Sequence, residues 1–143
     1  VLINVRCVEA SSITTGMGVV LALGTAGTVA SADGINAVIL PVTSNGLHQA
    51  FIGVAKGDIA SNAYGLVIAW GFADSVALSQ ETDKTVGVLA GAGLLRVSAV
   101  AGQFASAVAA EVISTYCGKY ALNVATTNIS SLLPYTKALI RCL

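Results

Sequence analysis

Residues 51–72, FIGVAKGDIASNAYGLVIAWGF, decide the fold class of this chain. An apolar run over residues 51–55 breaks at residues 56–58 (KGD), passes through a small polar segment, and resumes as the apolar run 66–70 before Gly71. Glycine, asparagine and serine accept the backbone angles of tight connections, and the flanking residues favour strands. The stretch therefore predicts two strands joined by a folded connection.

Short apolar segments separated by small turns continue along the chain, at intervals of about ten residues. Asn45-Gly46 is a strong turn signal, and the chain contains fifteen glycines. The pattern predicts one all-β domain over residues 1–143, a compact β-barrel or sandwich of short antiparallel strands, with residues 104–113 as the one segment that could form a short helix. The other predicted strands are residues 2–8, 17–23, 35–42, 48–55, 75–78, 86–89, 94–100, 120–124 and 136–143.

The composition is poor in charge. Hydrophobic residues make up 55% of the chain and charged residues only 10%, against about 25% charged in a typical soluble domain. A membrane-spanning helix needs about 18 apolar residues in a row, and the uncharged stretch 34–55 is interrupted by Pro41 and by polar turn residues. The composition therefore favours a non-membrane protein that works inside an assembly, with much of its surface covered by neighbouring subunits.

Seven basic and seven acidic residues are spread thinly along the chain, and the formal net charge is zero. A nucleic-acid-binding surface would need lysines and arginines gathered on one face, so no nucleic-acid partner is predicted. The cysteines, Cys7, Cys117 and Cys142, are far apart in sequence. They are predicted to be buried thiols in a reducing compartment, although a disulfide between two of them stays open.

Groups that could carry chemistry are few. His48 is the single histidine, and we expect it to be an ordinary strand side chain and not a member of a catalytic triad. Asp74, Glu81 and Asp83 resemble a solvated loop more than a metal site, which normally takes three or four ligands at recognisable spacing. Residues 91–93 (GAG) lack the third glycine of a nucleotide-binding loop. We therefore predict no enzyme activity, no metal site and no cofactor.

Two pairs of aromatic residues allow two interpretations. Trp70 with Phe72, and Tyr64 with Phe51, could be stacking surfaces for sugars or bases. Their alternation with small apolar residues favours packing in the core instead.

Three tyrosines near the end of the chain, Tyr116, Tyr120 and Tyr135, lie among polar residues. Tyrosine is common at protein interfaces because its ring buries area while its hydroxyl keeps a hydrogen bond. These three residues are therefore candidate subunit contacts.

Several short segments resemble the head decoration, or cement, proteins of tailed bacteriophages. The segments are residues 52–55 (IGVA), 58–60 (DIA), 65–71 (GLVIAWG), 101–107 (AGQFASA) and 137–143 (KALIRCL). The resemblance covers most of the chain and implies a non-enzymatic structural protein on the exterior of the virion, made in the host cytoplasm. Such proteins commonly form homotrimers and bridge neighbouring subunits of the major capsid protein.

The resemblance also suggests a role for residues 1–10 as an arm that contacts the capsid, because pairing at a sheet edge needs backbone more than side chains. The candidate contacts of this arm are Val1, Leu2, Ile3, Asn4 and Val5. The polar loop 79–84 is expected to face solvent. A trimeric β-structured virion fibre or a host-receptor or carbohydrate-binding module is the alternative function, and a small hydrolase or isomerase is the enzyme alternative.

Overall fold

The computed structural model of the chain describes residues 1–22, 35–39, 51–78, 88–89, 94–97, 100–106, 120–123, 127–128 and 135–142. The described residues form twelve β-strands and no helix, which confirms the all-β prediction. The strands are β1 (Leu2–Cys7), β2 (Gly18–Leu21), β3 (Ile35–Ile39), β4 (Phe51–Ala55), β5 (Tyr64–Ile68), β6 (Trp70–Ala77), β7 (Val88–Leu89), β8 (Leu94–Val97), β9 (Phe104–Ser106), β10 (Tyr120–Asn123), β11 (Thr127–Asn128) and β12 (Tyr135–Arg141).

The predicted helix over residues 104–113 is wrong at its start. Phe104–Ser106 form strand β9, which pairs with β8 in an antiparallel ladder. The alternation of Phe104 and Ser106 about a small residue suits a strand. Pairing with β8, together with the bridge between Phe104 and Leu78, outweighs the helix propensity of the alanines. Residues 107–113 lie outside the described residues, as do His48, the loop 79–84, Tyr116 and Cys117.

The first five strands form a closed barrel in the order β1-β3-β2-β4-β5. Strand β1 closes it by pairing with β5 on one side, where Leu2 opposes Ile68 and Arg6 opposes Tyr64, and with β3 on the other. The β1–β3 pair is parallel, whereas the other barrel pairs are antiparallel as predicted. Antiparallel neighbours can be joined by a short turn, whereas parallel strands need a longer crossover connection. The connection between β1 and β3 is of this longer kind, because it contains β2.

A second, five-stranded sheet in the order β6-β12-β10-β8-β9 packs beside the barrel, and β7 pairs with β11. The chain enters this sheet directly from the barrel, because β5 ends at Ile68 and β6 begins at Trp70. Ala69 bonds to both ends of the described chain: its amide donates to the Val1 carbonyl at 3.0 Å, and its carbonyl accepts from the Cys142 amide at 2.9 Å. The opening stretch of sequence therefore contains the junction of the two sheets.

Two clusters of buried side chains fill the structure. The first lies inside the barrel and consists of Val5, Cys7, Ile13, Val19, Ile52, Ala55, Ile59 and Val67. The second joins the outer side of β2 and β4 to the inner side of the second sheet and consists of Val20, Phe51, Val54, Ala73, Val76, Leu78, Leu95, Phe104, Ala138, Ile140 and Cys142. Strand β4 is buried at all five positions because one of its faces packs in the first cluster and the other packs in the second.

The connection between β4 and β5 is tied back to the segment before β2. Ile59 and Ile13 form a β-bridge, and both side chains are buried in the barrel. Beside this bridge, Asp58 Oδ1 accepts hydrogen bonds from the Thr15 amide at 2.7 Å and from Thr15 Oγ1 at 2.8 Å. These two hydrogen bonds hold the pKa of the Asp58 carboxyl below its ordinary value of 3.8, and the bond from the Thr15 amide has the larger effect. Desolvation opposes them slightly.

We expect this carboxylate to contribute a small pH dependence to stability. Because the folded-state pKa is lowered, the contribution is present above the unfolded pKa of about 4 and is lost as the pH falls through the folded value. Asp58→Asn should therefore lower the thermal midpoint slightly at about pH 7 and less at about pH 3. Melting curves of both proteins across that range test this, and parallel pH profiles would contradict it.

Candidate interaction surfaces

The outer side of β6 and β12 carries large side chains where an antiparallel sheet facing water is normally polar. In β6, exposed Trp70, Phe72 and Asp74 alternate with inward-facing Gly71 and Ala73. Phe72 is 71% exposed and Trp70 is 42% exposed. We call this surface the β6–β12 face, and its members are Trp70, Phe72, Asp74, Lys137, Leu139 and Arg141.

Strand β12 supplies the partners of these residues. Burial alternates along this strand: Tyr135, Lys137 and Arg141 are exposed, whereas Thr136, Ala138 and Ile140 are buried. Directly opposite residues in an antiparallel pair share a face, so the register places Leu139 beside Phe72 and Arg141 beside Trp70. Sheet β6–β12 therefore presents a mixed aromatic and charged surface.

Specific contacts hold this surface in place. The Arg141 guanidinium lies over the Trp70 ring, with its central carbon 5.4 Å from the ring centroid. Lys137 Nζ lies 3.6 Å from Asp74 Oδ1, in an ion pair whose side chains are 64% and 90% exposed, respectively. An ion pair this exposed contributes little to stability, at most about 1 kcal/mol.

A second exposed surface lies on the outside of the barrel, on β1 and β5. Leu2, Asn4 and Arg6 of β1 lie opposite Ile68, Leu66 and Tyr64 of β5, so the register places these six side chains on one face. Leu2 is 45% exposed, Leu66 44% and Tyr64 52%. We call this surface the barrel face.

The predicted arm is a barrel strand. Its candidate contacts divide by strand alternation: Val1, Leu2 and Asn4 are exposed, whereas Val5 is fully buried and Ile3 packs against the barrel cluster. The inclusion of Val5 is therefore corrected, because its side chain points into the barrel. Strand β1 pairs with β5 over residues 2–6 and with β3 over residues 5–7, so both backbone edges are paired at Val5 and Arg6.

The other predicted contact residues in the described part of the chain, Tyr120 and Tyr135, lie on strands of the second sheet. Tyr135 is 42% exposed at the start of β12, where its ring approaches Gly16. Tyr120 lies in β10, and its backbone pairs with that of Arg141 in β12. Tyr135 is therefore on the outward side of β12, as are Lys137 and Arg141, whereas arm residues 2–5 lie in the barrel strand β1.

The interpretation of Trp70, Phe72 and Tyr64 as core residues is wrong, since all three are exposed, whereas Phe51 is buried as predicted. The small residues of β6 face the core instead, because Phe51 and Phe104 already fill the space opposite them. A partial sequence signal for this surface exists in residues 135–141, YTKALIR, where the charged Lys137 and Arg141 are at odd positions and the apolar Ala138 and Ile140 at even ones. Such alternation identifies an outward face, and the face it shares with β6 follows from the register.

Side chains that could bind a metal ion or take part in catalysis are few in the described part of the chain. No group of three or more His, Cys, Asp or Glu residues there could hold a metal ion. Asp74 pairs with Lys137. Cys7 and Cys142 are buried, which confirms the predicted burial of these two residues. No helix among the described residues has the length and apolar character to cross a membrane.

No protein-family model, curated protein or solved structure matches this chain. The two exposed faces are therefore the features from which its function is inferred.

Proposed function

We propose that this chain is a non-enzymatic structural protein of a bacteriophage virion, which binds the outer surface of an icosahedral head and bridges neighbouring subunits of the major capsid protein. The observation that carries the proposal is the pair of surfaces with large exposed apolar side chains, the barrel face and the β6–β12 face, on a chain with only 10% charged residues. A bridging protein contacts more than one partner, and large apolar side chains exposed to water favour such contacts.

The kind of partner comes from the likeness of residues 65–71 and 137–143 to head decoration proteins. That likeness also suggests self-association, commonly as a trimer, on the outside of the virion. The barrel face is the proposed head contact, because it contains the exposed residues of β1. Burial of a half-exposed leucine such as Leu2 or Leu66 contributes on the order of 1 kcal/mol, and many symmetry-related copies act together. Each copy can thus bind weakly while the whole layer resists expansion of the head.

A second candidate is favoured by one specific observation. Exposed Trp70 and Phe72 lie beside Arg141 and Asp74. Exposed aromatic rings with charged neighbours can stack on a sugar while the polar groups bond to its hydroxyls. A virion fibre or a host-receptor or carbohydrate-binding module therefore remains the alternative. Quenching of Trp70 fluorescence by host-surface glycans, with no binding to heads, would favour it.

Binding to emptied, expanded phage heads tests the main proposal. The purified protein should sediment with the heads, saturate at a fixed number of copies per capsid subunit, and raise the temperature at which the heads rupture. Absence of binding to expanded heads, at protein concentrations that saturate known decoration layers, would overturn the proposal.

Leu66→Asp tests where the head binds. The substitution replaces an apolar contact side chain with a charge that has to be desolvated on binding, so we expect head affinity to fall at least about tenfold. Val100→Asp is the matched control, because Val100 is also 44% exposed but lies outside the barrel face. Equal head binding by the two variants in a sedimentation assay would remove the barrel face as the contact.

A further inference from the structure

The β6–β12 face has a regular arrangement of chemistry. Because β6 and β12 run antiparallel side by side, their outward residues form rows across the two strands. The ladder register defines the first two rows, and the third lies at the register shift between Thr136 and Ala138, where an ion pair joins the strands. The first row pairs an aromatic ring with a cation, the middle row is apolar, and the third pairs an anion with a cation. The rows are Trp70 with Arg141, Phe72 with Leu139, and Asp74 with Lys137.

We propose that this face binds the same face of a second copy of the chain, about a two-fold axis that runs parallel to the strands and between β6 and β12. Such an axis lays β6 of one copy over β12 of the other and keeps each row over itself. Asp74 then meets Lys137 of the second copy, Phe72 meets Leu139, and Trp70 meets Arg141. Every contact is complementary and occurs twice, as a two-fold interface requires.

The charges select this axis over the other two-fold arrangement. An axis across the strands would lay the first row of one copy over the third row of the other. Arg141 would then face Lys137 of the second copy, and Trp70 would face Asp74. Like charges opposed in an interface are strongly unfavourable, so the pattern rejects this alternative.

The free surface is suited to such a contact. Phe72, at the centre, is 71% exposed, and a central aromatic side chain surrounded by polar groups is the usual form of an interface hot spot. Asp74 and Lys137 are highly exposed, so little energy is lost when they exchange their mutual contact for contacts with a second copy. Two aligned sheets pack face to face about 10 Å apart, close enough for these side chains to interdigitate.

This contact does not depend on the proposed function. It uses none of the six residues of the barrel face, which is the proposed head contact. A two-fold contact is also additional to any three-fold association, which would use another surface. Complexes of the parent protein are therefore expected to contain an even number of chains.

Charge exchange tests the proposal. Asp74→Lys places two lysines opposite each other at each contact, and Lys137→Asp places two aspartates there. Each variant alone should lose self-association at least about tenfold. An equimolar mixture of the two should recover it as a mixed complex, and the double variant Asp74→Lys/Lys137→Asp should recover it alone. Light scattering after size exclusion and sedimentation velocity give the masses, and circular dichroism confirms that each variant is folded.

Phe72→Ser provides an independent measurement and should weaken the association about thirtyfold or more, whereas Val100→Asp should leave it unchanged. A parent protein that is monomeric or purely trimeric would overturn the proposal, as would single charge variants that associate like the parent or a mixture that fails to recover. A protein that self-associates as expected but binds no heads would reject the proposed function and leave this inference standing.

Discussion

Phe104→Ala is expected to lower the free energy of unfolding by about 3–5 kcal/mol. The Phe104 ring is only 2% exposed and packs edge-to-face on Phe51, with ring centroids 5.8 Å apart and an interplanar angle of 71°. The substitution removes this contact and leaves a cavity between the barrel and the second sheet. Urea unfolding followed by circular dichroism measures the loss.

Phe72→Ala is the matched control, because it deletes the same atoms from the same residue type at a position that is 71% exposed. We expect a change within about 0.5 kcal/mol. The comparison has to be made at protein concentrations low enough to avoid self-association, since binding between copies adds to apparent stability. Equal losses for the two variants would show that the assignment of inner and outer sides of the second sheet is incorrect.

The fold class could be predicted because its signals are local. Apolar runs of strand length and turn residues between them stand in the sequence itself, and residues 51–72 contain β4, β5 and the connection between them as predicted. The start of β6 at Trp70 could not be predicted. The change of sheet at Ala69 depends on its hydrogen bonds to Val1 and Cys142, residues that are remote in sequence.

The candidate surfaces were less predictable than the strands. Alternation shows that Trp70 and Phe72 share one side of a strand and Gly71 and Ala73 the other, but not which side faces the core. Cross-strand packing decides that, because the second cluster is filled by rings from β4 and β9 and accepts only small residues from this part of β6. For the same reason, the N-terminal residues could be identified as a strand, while the burial of Val5 depended on closure of the barrel.

Strand β4 shows how one glycine allows both clusters to form. The ladder between β2 and β4 shifts register, because Val19 opposes Gly53 while Val20 opposes Phe51. The extra residue, Ile52, faces the barrel interior, while Phe51 and Val54 both face the second sheet. Bulges of this kind bend a strand and redirect its side chains. Gly53 has φ = +144° at this bulge, a backbone angle that residues with a side chain rarely adopt.

Gly53→Ala is therefore expected to lower the free energy of unfolding by about 4 kcal/mol, from backbone strain and overpacking together. A Cβ atom at this position would lie 2.2 Å from the Ile68 carbonyl oxygen and 2.7 Å from Val67 Cγ1. The first of these is a backbone atom of the adjacent strand, so relief of the clash requires β4 and β5 to separate. Urea unfolding and the thermal midpoint measure the loss.

Gly57→Ala is the control for the general effect of removing a glycine. A Cβ atom at Gly57 meets nothing within 4 Å, and the loss of glycine restricts the unfolded chain, so its stability should be unchanged or raised by up to about 1 kcal/mol. A difference between the two variants isolates the contact of β4 with β5. If Gly53→Ala were as stable as Gly57→Ala, the bulge would tolerate a side chain, and the explanation of how β4 serves both clusters would fail.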